Sequence, residues 1–98
     1  MFIHSVYFWL REDLSELDIL RFKQGLSSLS SIEGVKRGFV GVPAATYRPV
    51  IDRSYSYALI LTFENQEAHD RYQQHDVHER FRQDCSSLWS KVLIFDCE

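Results

Sequence analysis

Alternation and helical spacing divide the chain into six elements. Phe2–Leu10, FIHSVYFWL, is rich in aromatic and β-branched residues and predicts a strand. His4, Val6, Phe8 and Leu10 fall on one face, and Ile3, Ser5, Tyr7 and Trp9 on the other. Both faces are largely apolar, as in a strand covered on both sides. Arg11–Leu14 is a polar turn, and Ser15 with Asp18 three residues on has the form of a capping box. Leu14 and Ile19 occupy the staple positions of the same helix start. Ile19, Phe22, Leu26 and Leu29 then form a helical stripe, closed by the serines of Ser27–Ser31 and by Gly34.

Val35–Val42, VKRGFVGV, predicts a second strand, with Gly38 and Gly41 marking a bend or a close approach and Pro43 ending it. Ala44–Arg53 has turn residues and no periodicity, and predicts a loop. Ser54–Phe63, SYSYALILTF, alternates most clearly: Tyr55, Tyr57, Leu59, Leu61 and Phe63 share one face. Asn65 is an N-cap for a helix over Gln66–Gln74. Asp76 is an N-cap candidate for a second helical piece, with Glu79 at the reciprocal position, a stripe of Val77, Phe81, Cys85 and Leu88, and Trp89 at its close. Lys91–Asp96, KVLIFD, predicts the last strand.

The order strand, helix, strand, strand, helix, strand predicts an α+β, ferredoxin-like βαββαβ domain spanning residues 1–98, with both helices on one face of a four-stranded antiparallel sheet. The other face is also apolar, and no element remains to cover it. A second copy packed sheet to sheet, a homodimeric α+β barrel, would bury it.

Composition narrows the function classes. The 98 residues are 45% hydrophobic and 14% aromatic, enough for one core, and a domain this small gains from oligomerisation. A net charge of −3 with interspersed signs lacks the basic footprint of a nucleic-acid binder. No apolar run reaches the ~18 residues of a membrane span. The N-terminus enters a strand pattern directly, without the basic, apolar, small-residue order of a secretion signal. Cys85 and Cys97 have no metal or redox spacing and are expected as reduced thiols of a cytoplasmic protein.

The chemistry-bearing run is Asp70–Phe81, DRYQQHDVHERF. Tyr72 and His78 flank the Asp76 break. If the second piece turns back there, both side chains point toward His4 and the sheet. A neutral His78 then takes a proton from a carbon acid or hydroxyl while Tyr72 donates to the oxygen where charge develops. The rival reading makes them buried polar residues satisfied by each other and by backbone. His75 and His78, with Glu79, Asp76 or His69, have no recognised zinc signature, so no metal is assigned. His69 and His75 are expected to be peripheral, solvated or capping residues. No cofactor is assigned either.

These residues also carry a resemblance. The early His4, the passage YALILTFEN, the run Tyr72-Gln-Gln-His75-Asp-Val-His78 and the ending Trp89-Ser-Lys-Val-Leu-Ile-Phe-Asp96 resemble the Dabb family, the stress-responsive dimeric α+β-barrel domains, over nearly the whole chain. Asp76 stands where the family has proline. Around the C-terminal half the chain is similar to plant polyketide cyclases of the olivetolic acid cyclase type. That resemblance implies Tyr72 and His78 as the catalytic pair and His4 in the same cavity, with Phe81 and Trp89 lining it. Val6, Tyr57 and Leu59 complete the expected ligand-binding set. Tyr57 replaces a cavity histidine, Leu26 an aromatic residue and Arg82 a small residue that follows Phe81. These departures imply a different substrate, with Arg82 expected to narrow the cavity. The functional expectation is a homodimer that binds a small, largely apolar molecule, with cyclase-, lyase- or isomerase-like chemistry; the alternative is a non-catalytic stress-responsive structural or interaction protein.

Overall fold

A computed structural model describes residues 1–98. Its elements are β1 (Phe2–Leu10), α1 (Glu16–Leu29), β2 (Val35–Gly41), β3 (Tyr57–Phe63), α2 (Gln66–Gln73), α3 (Asp76–Cys85) and β4 (Trp89–Cys97), with a 3-10 turn over Ser86–Leu88. The four strands are antiparallel in the order β2-β3-β1-β4. This is the ferredoxin-like βαββαβ arrangement, with its second helical crossover split into two pieces.

Local chemistry explains where the elements begin. Ser15 Oγ accepts from the Asp18 amide at 3.1 Å while the Asp18 carboxylate accepts from the Ser15 amide, so the capping box forms as expected. Asn65 caps α2 through the Ala68 amide at 2.9 Å. Three starts differ from the sequence expectation. The β3 strand begins at Tyr57, because Ser54 turns onto the Asp52 carboxylate and the Ser56 hydroxyl accepts from the Leu10 amide. Trp89 opens β4 instead of closing a helix. Finally, His75 rather than Asp76 caps α3: His75 Nδ1 accepts from the Val77 amide at 3.1 Å, and Asp76 is the first helical residue, where its charge favours the positive end of the helix dipole.

The inner face of the sheet carries His4, Val6 and Phe8 from β1 opposite Leu61, Leu59 and Tyr57 from β3. Phe22, Leu26 and Leu29 of α1 and Tyr72, Phe81 and Cys85 of the split crossover close over it to make the core. Helices α1 and α3 meet at Gly25, where an added Cβ would come 2.9 Å from the Phe81 ring. The outer face has no cover within the chain. Register places Tyr7, Leu93, Phe95, Ile60 and Phe39 on it, with Phe95 58% and Phe39 65% exposed. The molecule is accordingly a thin two-layer slab, 35 × 32 × 17 Å.

Candidate functional site

The β1–β4 register puts His4 directly opposite Asp96, with both side chains on the helix-facing side. There the His4 Nδ1–H donates to Asp96 Oδ1 at 2.5 Å. His4 is buried, and burial holds its pKa below the ordinary histidine value; the Asp96 carboxylate pulls the other way with smaller effect, so the pair is a neutral imidazole bonded to a carboxylate. Asp96 is half-exposed and forms the solvent side of the pair.

Helix α2 lays Tyr72 and His69 over His4. The Tyr72 ring meets His4 edge-on at 5.9 Å, and the His69 ring lies 4.7 Å from it. His69 departs from its expected place. It is 8% exposed, not peripheral, and packs against Phe2 at 4.5 Å and Phe63 at 5.5 Å. The reason is helical spacing: Ala68, His69 and Tyr72 form one face of α2, and the end of the sheet fills that face. Asp70 accepts from His69 Nδ1–H and the Gln73 amide donates to His69 Nε2, both at 3.1 Å. His75, by contrast, is a capping residue.

The α2–α3 break brings His78 back against Tyr72, ring edge to ring face, with centroids 4.9 Å apart. His78 Nδ1 is buried and has no hydrogen-bond partner. Burial, then the nearby Arg82, holds the His78 pKa below the ordinary value, so the ring is a neutral base near pH 7. Burial alone pushes the Tyr72 hydroxyl well above its ordinary value, with no hydrogen bond contributing, so it stays protonated as a donor. Arg82 does not narrow this space; it lies exposed on the surface of α3, 3.8 Å from Glu79.

The remaining expected ligand residues separate along β1. Phe81, Trp89 and Tyr57 gather around Phe8 and Phe22, with Phe81 stacked on Trp89 at 5.8 Å and Tyr57 5.6 Å from Phe22. Val6 and its cross-strand partner Leu59 lie between this aromatic cluster and the polar group at His4. A separate cleft of about 710 Å³ opens between α1 and α3, lined by Arg21, Gln24, Ser28, Arg80 and Asp84; of the expected ligand residues only Phe81 reaches it. Sequence reasoning missed Ile94 and Val92. They share the helix-facing side with His4 and Val6, yet are 49% and 38% exposed because no helix covers the β4 edge. The alternation of Lys91–Asp96, which puts Val92, Ile94 and Asp96 on one face, was the signal that could have found them.

A four-stranded antiparallel sheet with helices on one side and a polar group at the sheet's end defines a ferredoxin-like α+β domain. The chain belongs to the Dabb family, the stress responsive A/B barrel domain, whose pattern spans residues 2–98. Among solved structures it is similar to the Arabidopsis thaliana protein At3g17210, at 23% identity and a TM-score of 0.83 over 100% of this chain and 94% of that one. A Thermobifida fusca protein, described as dimeric, ferredoxin-like and of unknown function, matches at 14% identity and a TM-score of 0.78 over 98% and 88%. The hydroxynitrile lyase of Passiflora edulis matches at 16% identity and a TM-score of 0.80 over 98% and 90%. No curated protein matches the chain. No helix is long and apolar enough to cross a membrane.

Proposed function

We propose that the protein is a cytoplasmic homodimer that binds a small, largely apolar carbonyl compound at the His4 end of the sheet and performs acid–base chemistry on it with Tyr72 and His78. The observation that carries this reading is the buried, partnerless Nδ1 of His78 beside Tyr72. A buried polar atom without a partner costs about 1–3 kcal/mol, and a ligand that supplies the missing proton donor or acceptor recovers it. The two groups have the complementary states the chemistry needs: a neutral imidazole to take a proton, and a protonated phenol to donate to a developing oxyanion. The half-exposed Ile94 and Val92 offer an apolar strip for the rest of the molecule. A lyase on a similar fold supports the reaction class only as an analogy of scaffold. The aromatic packing of Phe22, Phe81 and Trp89 favours the second reading, a non-catalytic interaction protein, because it fills part of the space a ligand would use.

Thermal shift with a panel of aromatic aldehydes and alkyl aryl ketones separates the two. On the first reading at least one probe raises Tm, and His78→Ala and Tyr72→Phe remove the shift while retaining the circular dichroism spectrum. A shift that persists in both variants would show that the wrong residues are named. A panel without any shift favours the interaction protein.

A further inference from the structure

We propose that His4, His69 and Asp96 form a binding site for one divalent first-row transition-metal ion, of the zinc or iron(II) type. The three residues lie far apart in the chain, and β1, α2 and β4 bring one ligand atom from each within 4.8 Å of the others. Two imidazoles and one carboxylate form a mixed nitrogen and oxygen donor set that suits these ions and not magnesium or calcium, which take oxygen ligands. A tetrahedral ion with bonds of about 2.0–2.2 Å holds its ligand atoms ~3.4 Å apart. The His4–Asp96 contact, at 2.5 Å, must therefore open by roughly an ångström, and no pair needs to close by more than about 1.4 Å, since all three ligand atoms lie within 4.8 Å of one another. The opening needs only rotation of the Asp96 side chain, which sits on the uncovered β4 edge.

The surroundings match the way proteins hold such ligands. His69 donates its Nδ1–H to the Asp70 carboxylate, which leaves the Nε2 lone pair available; only the exchangeable Gln73 amide lies on it. A carboxylate behind a ligating histidine fixes its tautomer and raises its basicity. On the His4 side, an ion bound at Nδ1 replaces the proton now shared with Asp96, and that proton moves to Nε2, so the ring stays neutral. Three protein ligands leave at least one coordination position open, on the side where Asp96 meets solvent. The inference extends beyond the acid–base reading and stands without it, since neither Tyr72 nor His78 is a ligand.

Cobalt(II) is the probe, added as chloride to chelator-treated protein, with visible absorption and equilibrium dialysis as readouts. The expected result is one ion per chain with d–d bands of a four- or five-coordinate nitrogen and oxygen site, displaced by zinc chloride. Asp96→Asn and His69→Gln should each weaken binding tenfold or more, while His75→Ala and Cys97→Ser leave it unchanged. Asp70→Asn should weaken it by roughly 10–100-fold without abolishing the bands, as a positioning residue does. Absence of saturable binding, binding that survives Asp96→Asn, or binding lost in His75→Ala would overturn the site. Asp96 is half-exposed, so its variant keeps the test decisive should His69→Gln fail to fold.

Discussion

His4 and Asp96, the fourth and the ninety-sixth residues, face each other across the β1–β4 ladder and share a proton at 2.5 Å. His4 is buried in this pair, and His78 is partly buried behind Tyr72. Burial holds both histidines below the ordinary value of 6.5. The sign of the linkage follows. As pH falls below 6.5, the unfolded chain takes up protons at these positions before the folded chain does, so the unfolding free energy decreases toward acid. It is fully present above 6.5. Urea midpoints of the chelator-treated protein at about pH 7.5 and about pH 5.5 should therefore fall in that order. An unchanged or higher acid midpoint would mean that burial does not hold these two histidines below the ordinary value.

Tyr72 is among the most buried side chains of the protein, yet its hydroxyl makes no hydrogen bond that shifts its titration. Tyr72→Phe should change stability by less than about 0.5 kcal/mol, since no buried partner is left unsatisfied. The same change should remove any probe-induced thermal shift. A cost above about 1 kcal/mol, measured by urea denaturation, would assign the hydroxyl a structural hydrogen bond.

At the helical break, His75 and not its acidic neighbour caps α3. His75→Ala should cost about 1 kcal/mol, the usual loss of a side-chain cap, and His75→Asp should restore most of it. Asp76→Ala should cost less, because Asp76 contributes only through the helix dipole. Comparison of the three variants by urea denaturation checks the ranking.

Gly25 lies inside α1, where alanine ordinarily gains about 1 kcal/mol of helix propensity. Here the new Cβ would stand 2.9 Å from the Phe81 ring, which is pinned against Phe8, Phe22 and Trp89. Overpacking of this kind costs about 1–3 kcal/mol, so Gly25→Ala should be net destabilising by about 1 kcal/mol. A more stable variant would show that α1 and α3 can separate freely.

The outer face of the sheet is uncovered within one chain. Leu93 and Phe95 project from it beside Tyr7, and Tyr7 packs against Phe95 at 6.2 Å. If two sheets meet there, Leu93→Glu and Phe95→Glu should convert a dimer to a monomer in size-exclusion chromatography with light scattering. A wild-type chain that elutes as a monomer at micromolar concentration would remove the interface altogether.

The fold was largely legible in the sequence because each element carries its own local signal. Period-two alternation sorted Phe2–Leu10 and Ser54–Phe63 into the residues that share a face, and Ser15–Asp18 and Asn65 set helix starts through contacts within four residues. The conjunction of Tyr72 with His78 was also readable, on the condition that the second helical piece turns back at the break, as it does. The cap of α3 was misplaced by one residue because histidine and aspartate both accept from a backbone amide, and only the chain's path chooses between them. The environment of His69 and the partner of His4 belong to the tertiary structure. No local rule says which strand pairs with β1 on its far side, and that pairing alone brings Asp96 to His4 and leaves Ile94 uncovered. Contacts across more than ninety residues are decided by how the whole sheet closes, not by any stretch that takes part in it.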